Sequence, residues 1–234
     1  MNDIKLHYIE QGSGCPLILL HGNGEDHHYF QAQLSFFSKH FRVIAVDTRG
    51  HGKSPRGEKP FALETFADDL SCFLDEKKIE RTDLLGFSDG GNIAMIFALK
   101  YPYKVKRLIL NGANLDPKGV KPAVQFPIAL GYGLTALFSP FCPKAKANHE
   151  MLGLMVKQPH ILPETLKKLT IPVLVIVGDH DMIKPGHSRL IAESLPNGEF
   201  CEIPGDHFIA AKNSALFNQK VAAFLNESGK IEAE

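Results

Sequence analysis

A serine becomes a nucleophile when the backbone exposes its hydroxyl and a base stands within reach. One stretch of this 234-residue chain meets the first condition: Gly86-Phe87-Ser88-Asp89-Gly90-Gly91 follows a strand-like apolar run and precedes a helical pattern from Asn92 to Lys100. G-x-S-x-G at a strand-to-helix junction marks a sharp turn, and small residues two positions either side of the serine keep it free of clashes. Gly86 and Gly90 supply them. The turn places the Ser88 hydroxyl at a sheet edge and the Asp89 backbone N–H at a helix N-terminus, where unpaired donors and the dipole favour an anion. The bare five-residue pattern is weak, and the alternative is an ordinary turn serine; the junction is what gives it weight.

An acyl-transfer site needs donors for the developing oxyanion, each worth on the order of 10²–10³ in rate. His21-Gly22-Asn23-Gly24 follows the apolar run Pro16 to Leu20, and the Asn23 backbone N–H is the donor expected to converge with that of Asp89. A base is also required. His207 lies in Ile203-Pro204-Gly205-Asp206-His207-Phe208, between the last strand pattern and the last helix pattern. Its orienting acid is sought in Gly178-Asp179-His180-Asp181, with Asp181, deeper in the loop, preferred to Asp179. Asp206 adjoins His207, but adjacent side chains of an extended loop diverge. The pair His27-His28 reads as the surface of a helix start, since neighbours on a helix point about 100° apart. Gly52-Lys53-Ser54 resembles the end of a phosphate-binding loop, yet Asp47 stands where that loop requires glycine.

Short β-rich runs alternate with helical patterns, which predicts an α/β fold with a mostly parallel twisted sheet and helices on both faces. Strands are expected at Lys5 to Glu10, Leu17 to Leu20, Arg42 to Asp47, Asp83 to Phe87, Val105 to Asn111, Val173 to Gly178 and Glu199 to Ile203. Apolar residues recur at helical spacing from Leu63 to Leu74, and further helices are expected over Tyr29 to Lys39, Gly90 to Tyr101, Pro185 to Leu195 and Ser214 to Asn226. The rhythm breaks over 113–170, an insertion that leaves one strand end and returns to the start of another. Such a segment belongs over the carboxyl edge of the sheet, where open α/β folds bind ligands.

Composition removes several function classes. Lys+Arg and Asp+Glu are 26 each, so no long-range positive field gathers phosphates, and nucleic acid is not an expected partner. Cys15, Cys72, Cys142 and Cys201 form no C-x-x-C pair and read as buried or half-buried thiols; with an acid among the first three residues, a reducing, cytoplasmic setting is expected. Ala123 to Cys142 carries no charge and is flanked by Lys118, Lys121, Lys144 and Lys146. Pro127, Pro140, Gly131 and Gly133 interrupt it, so it reads as an element packing over the same protein rather than a membrane span. Oligomeric state is not legible.

Ser88, Asp181 and His207 occur in the Ser…Asp…His order of the α/β-hydrolase superfamily, and the chain resembles that superfamily over almost its whole length. His21-Gly22-Asn23-Gly24 matches the family's H-G-x-G loop, Asp47 to Ser54 its D-x-R-G-x-G-x-S turn, Gly178 to Asp181 its G-x-x-D acid loop, and Gly205 to Phe208 its histidine loop. The resemblance implies one domain over 1–234, with a short helical cap at about 113–170. It also implies a Ser88–His207–Asp181 triad with Asn23 and Asp89 as oxyanion donors. With two of its members assigned to the triad, the cluster Asp179, His180, Asp181 and His207 keeps too few ligands for a metal; neither metal nor cofactor is expected. An apolar cap selects apolar groups, so Phe126, Ile128, Leu130, Leu134 and Phe138 are expected to line the pocket of a small, neutral ester. The same triad serves amide, thioester and C–C bond hydrolysis, peracid formation and acyl transfer, and a non-turnover ligand-binding protein is the rival from another class.

Overall fold

The structure, a computed structural model, describes residues 3–227. Seven strands form one sheet: β1 (Tyr8–Gln11), β2 (Pro16–Leu20), β3 (Arg42–Val46), β4 (Thr82–Phe87), β5 (Val105–Asn111), β6 (Val173–Gly178) and β7 (Gly198–Ile203). Their order is β1-β3-β2-β4-β5-β6-β7, with β1 antiparallel to β3 and every other pair parallel. All residues of β4 and β6 are buried, as expected of strands covered on both faces; β6 is an unbroken apolar run, and the one charge in β4, Asp83, is paired with Arg107.

The helices are α1 (Gln31–Phe37), α2 (Leu63–Glu76), α3 (Asp89–Lys100), α4 (Pro122–Phe138), α5 (Pro143–Lys157), α6 (Pro163–Leu166), α7 (Pro185–Glu193), α8 (Ile209–Lys212) and α9 (Ser214–Glu227). One apolar cluster packs α2, α3 and α7 against the sheet through Leu70, Phe97 and Ile191. On the opposite face a second cluster packs α1, α8 and α9 through Leu34, Ile209 and Phe217. The strand expected from Lys5 pairs with β3 only from Tyr8, because the His7 N–H turns to the Ser54 hydroxyl. The helix expected from Tyr29 is entered through a 3₁₀ turn, His27–Phe30, and stops at Phe37. Cys72 and Cys201 are half-buried, but Cys15 and Cys142 are exposed.

Residues 113–170 contain α4, α5 and α6, each opened by a proline in the first turn, where its missing N–H costs nothing. α5 is the helix that grips the body. Its Glu150 pairs with Arg56 at 2.7 Å, its Met151 carbonyl accepts from the Asn23 amide at 2.7 Å, and its Leu154 is buried. α4 rides on α5 and has no buried residue. Among the described residues, no helix is long and apolar enough to cross a membrane.

Below the sheet's carboxyl edge, the turn after β3 is fixed by buried charge. Arg49 is fully buried and reaches both carboxylate oxygens of Asp69 at 2.7 Å, and both of Asp3 at 2.6 and 3.0 Å.

Candidate active site

Ser88 stands between β4 and α3 with φ +53°, a left-handed backbone that side chains rarely adopt. The turn closes tightly enough to forbid side chains nearby. A Cβ on Gly86 would lie 2.2 Å from the Gly90 carbonyl oxygen, and one on Gly90 would lie 2.1 Å from that of Leu20. The strained serine is held by its own N–H donating to the Asn111 carbonyl at 2.8 Å, and by its carbonyl accepting from Gly91 and Asn92.

The loop after β7 brings His207 to it, with Nε2 3.0 Å from the Ser88 hydroxyl oxygen. On the other side of the ring, Nδ1 is 2.7 Å from Oδ1 of Asp181, in the loop after β6. That carboxylate oxygen also accepts from the Ile183 N–H at 2.9 Å, so Asp181 is fixed before it meets the imidazole. Asp181 and His207 are both buried. With the carboxylate on Nδ1, the Nδ1–H tautomer leaves Nε2 to accept the serine proton. Asp179 turns outward to the Gly205 N–H and to His180, and Asp206 accepts from the Phe208 N–H and Lys212. Neither reaches the His207 ring.

Gly22, Asn23 and Gly24 follow β2. The Gly22 N–H donates to Glu25, whereas among the described residues no acceptor is found for the backbone N–H of Asn23 or of Asp89. Behind this loop, His21 Nε2 accepts from the Thr48 N–H, which makes Nδ1 the donor to the Gly22 carbonyl at 2.7 Å. Burial holds the His21 pKa down at about 4, so it serves as a neutral link.

Several side chains around these residues shape the site, and of these Glu25, Tyr29 and Gly112 carry no signal in the sequence. Glu25 directly follows the Gly22–Gly24 loop, and burial pushes its carboxyl up to about 7 against the opposing pull of the Gly22 N–H and His207. Asp89 is buried, with Oδ1 accepting from the Asn92 amide at 3.1 Å and no hydrogen bond formed at Oδ2; burial pushes it up to about 6 against the opposing pull of the Asn92 and Asn23 amides and of His207. Phe87 packs 4.9 Å from the His207 ring and is stacked by Tyr29 at 4.2 Å. Gly112, directly after β5, adopts φ +63° beside His207.

The expected pocket residues are differently placed. A cavity of about 300 Å³ beside the Gly22–Gly24 loop is lined by Asn23, Gly24, Thr135, Asn148, Met151, Leu152 and Met155, so its apolar wall is α5. Phe126 and Leu130 are exposed, Ile128 is half-buried, and Leu134 and Phe138 line a separate groove on the outer side of the cap. α4 carries no charge and only Gln125 and Thr135, which turn to Met155 and His149 of α5, mark its inner side; α5 takes the position against the body.

His27 is another correction. It is buried, since Asp47 Oδ1 faces both its N–H and its Nδ1, while His28 remains exposed as expected. His7, His27 and Asp47 gather metal-type ligand atoms within 4.8 Å of one another. Asp47 already engages four protein nitrogens there, the N–H groups of His27 and Lys53 and the two imidazoles, so the group reads as a structural knot.

Comparison with known proteins gives this arrangement relatives. The family model of the α/β-hydrolase fold matches residues 16–136. The human serine hydrolase BPHL is 28% identical over 254 aligned positions, covering 96% of this chain and 84% of that protein. A 2-hydroxy-6-oxo-2,4-heptadienoate hydrolase of Pseudomonas putida is 34% identical over 115 positions, covering 47% of this chain and 41% of that enzyme; the matched stretch is thus less than half of its length. Among solved structures, a hydrolase from Pseudomonas aeruginosa PA01 superposes with TM-score 0.77 and 26% identity, covering 95% of this chain and 94% of that one. The enol-lactonase of Burkholderia xenovorans LB400 shares the fold, with TM-score 0.81 and 23% identity over 96% of this chain and 98% of that one.

Proposed function

The chain belongs to the α/β-hydrolase fold family, and from that premise we propose that it is a serine hydrolase cleaving a small carboxylic ester with an apolar acyl or alkyl group. The observation that carries this reading is the aligned pair of contacts, Ser88 Oγ to His207 Nε2 at 3.0 Å and His207 Nδ1 to Asp181 Oδ1 at 2.7 Å. As Ser88 attacks the ester carbonyl, His207 takes its proton, and Asp181 stabilises the imidazolium while holding the ring in place. The negative charge developing on the carbonyl oxygen is received by the Asn23 and Asp89 N–H groups. His207 then gives its proton to the leaving alcohol, and water, activated by the same imidazole, releases the acid. A cavity of about 300 Å³ walled by Met151, Leu152 and Met155 supports a small, apolar substrate.

The test is covalent labelling by a fluorophosphonate together with hydrolysis of p-nitrophenyl esters of increasing acyl length. Labelling and turnover that both disappear in Ser88→Ala are the expected result. Absence of labelling and of turnover across the panel favours a ligand-binding protein; turnover of amides, thioesters or C–C substrates with esters untouched retains the triad and rejects the ester.

A second substrate class is favoured by Asp89, whose buried carboxyl, one residue from the nucleophile, forms no hydrogen bond at Oδ2 and is opposed only by the nearby Asn92 and Asn23 amides and the more distant His207. A buried carboxylate is stabilised by a cation, so an ester carrying an ammonium group near its carbonyl supplies the complementary charge. Paired esters differing only in that amino group, compared in the native enzyme and in Asp89→Asn, separate the two: a preference for the amine that Asp89→Asn removes supports this class, and no preference rejects it.

A further inference from the structure

Phe126, Leu130, Leu134, Leu137 and Phe138 of α4, with Phe141 in the turn that follows, are between 52% and 86% exposed. The five in the helix recur at helical spacing and form one stripe along its outer face. An apolar surface this continuous marks an interaction site rather than scattered surface residues. Its rim is basic. Lys118 and Lys121 stand at one end of the helix, Lys144 lines the groove with Leu134 and Phe138 at the other, and the only acid between 118 and 157 is Glu150, already paired with Arg56. In a chain of zero net charge, the cap therefore presents a positively charged, apolar face.

Charge decides what fits it. Two copies docked through this face would set one lysine rim against another, whereas an anionic lipid surface offers acyl chains to the stripe and headgroup charge to the rim. We propose that the outer face of α4 docks the protein on anionic lipid surfaces, with the helix lying in the interface. Its length, about 25 Å for 17 residues, matches a helix lying flat, and no helix among the described residues is long and apolar enough to cross. The outer groove, about 480 Å³ and lined by Leu134, Phe138, Cys142 and Lys144, shares Thr135 and Asn148 with the cavity beside Asn23. The docking itself does not depend on which bond the site cleaves.

The test is sedimentation of the full-length protein with phosphatidylcholine vesicles, with and without phosphatidylserine, at low and high salt. Binding to the anionic vesicles about tenfold or more above the neutral ones, weakened by salt, is the expected result. The double substitution Leu137→Ser and Phe141→Ser, at exposed positions outside the site, is expected to lower that binding about tenfold, with the circular dichroism spectrum and thermal midpoint unchanged. Equal binding to both vesicle types, or none to either, overturns the proposal. So does a dimer, seen by analytical ultracentrifugation and abolished by the same substitutions, when no vesicle binds. The vesicle-composition and salt dependences of the unsubstituted protein judge the proposal even where the double variant misfolds.

Discussion

A Cβ on Gly112 would stand 2.7 Å from Cε1 of the His207 imidazole and 2.8 Å from its Nδ1, so the residue that leaves β5 decides where the ring can lie. Gly112 also holds φ +63°, where alanine is strained. Gly112→Ala is therefore expected to displace the imidazole and lower kcat by about 10²-fold with a much smaller change in KM. Steady-state kinetics on a soluble ester check this, and an unchanged kcat would show that the ring has room to move.

Asp181 and Asp179 make opposite predictions. Asp181→Asn removes the charge that holds His207 in the Nδ1–H tautomer and is expected to cost about 10⁴ in kcat. Asp179→Asn, which touches only the Gly205 N–H and His180, is expected to leave kcat near its original value. A reversal of the two effects would move the orienting role to Asp179.

Asp89 gives a pH dependence of definite sign. Its carboxyl is raised from 3.8 to about 6 in the folded chain, so between those values the native state binds the extra proton and stability falls as pH rises. The loss is complete above about pH 6 and amounts to about 3 kcal/mol. Glu25, raised to about 7, acts in the same direction, whereas His21, depressed to about 4, makes stability fall as pH drops from about 6.5. Comparing Asp89→Asn with the unsubstituted protein cancels both. Its Tm is expected to exceed the unsubstituted value at pH 8 and to match it at pH 4; a constant difference would assign the effect to something other than ionisation.

The buried pair Arg49–Asp69 predicts a structural effect without a kinetic one. Asp69→Ala leaves the Arg49 guanidinium buried with Asp3 as its remaining carboxylate, at a cost of about 3–5 kcal/mol. For a chain of this size that lowers Tm by roughly 10 °C. Calorimetry measures the drop, and KM for a soluble ester is expected to hold below the transition.

What could be read from the residues alone divides along a physical line. Strand and turn positions were legible because each is fixed by local chemistry: an unbroken apolar run at β6, a mostly apolar one at β4, and glycines at 86 and 90 that no other residue could replace. Ser88, His207 and Asp181 were legible for the same reason, since each follows a strand at one edge of the sheet. The inner wall of the cavity was not, because the choice between α4 and α5 is made by contacts between Glu150 and Arg56 and between Met151 and Asn23, far apart in sequence. His27 and Glu25 escaped likewise: their burial depends on Asp47 from β3's end and on the folded Gly22–Gly24 loop, neither of which leaves a periodic trace.

The whole cap is the crossover between β5 and β6, neighbours in the sheet, while Ser88 precedes that crossover and Asp181 and His207 follow it. The cap and the three residues proposed to do the chemistry consequently lie in separate stretches of chain. Any replacement segment that leaves past Gly112 and re-enters at Val173 preserves the strand register, so selection can trade one crossover for another while the serine, histidine and aspartate keep their spacing. Exchange of that single connection would rebuild the wall of the cavity without touching the loops that hold Ser88, Asp181 and His207.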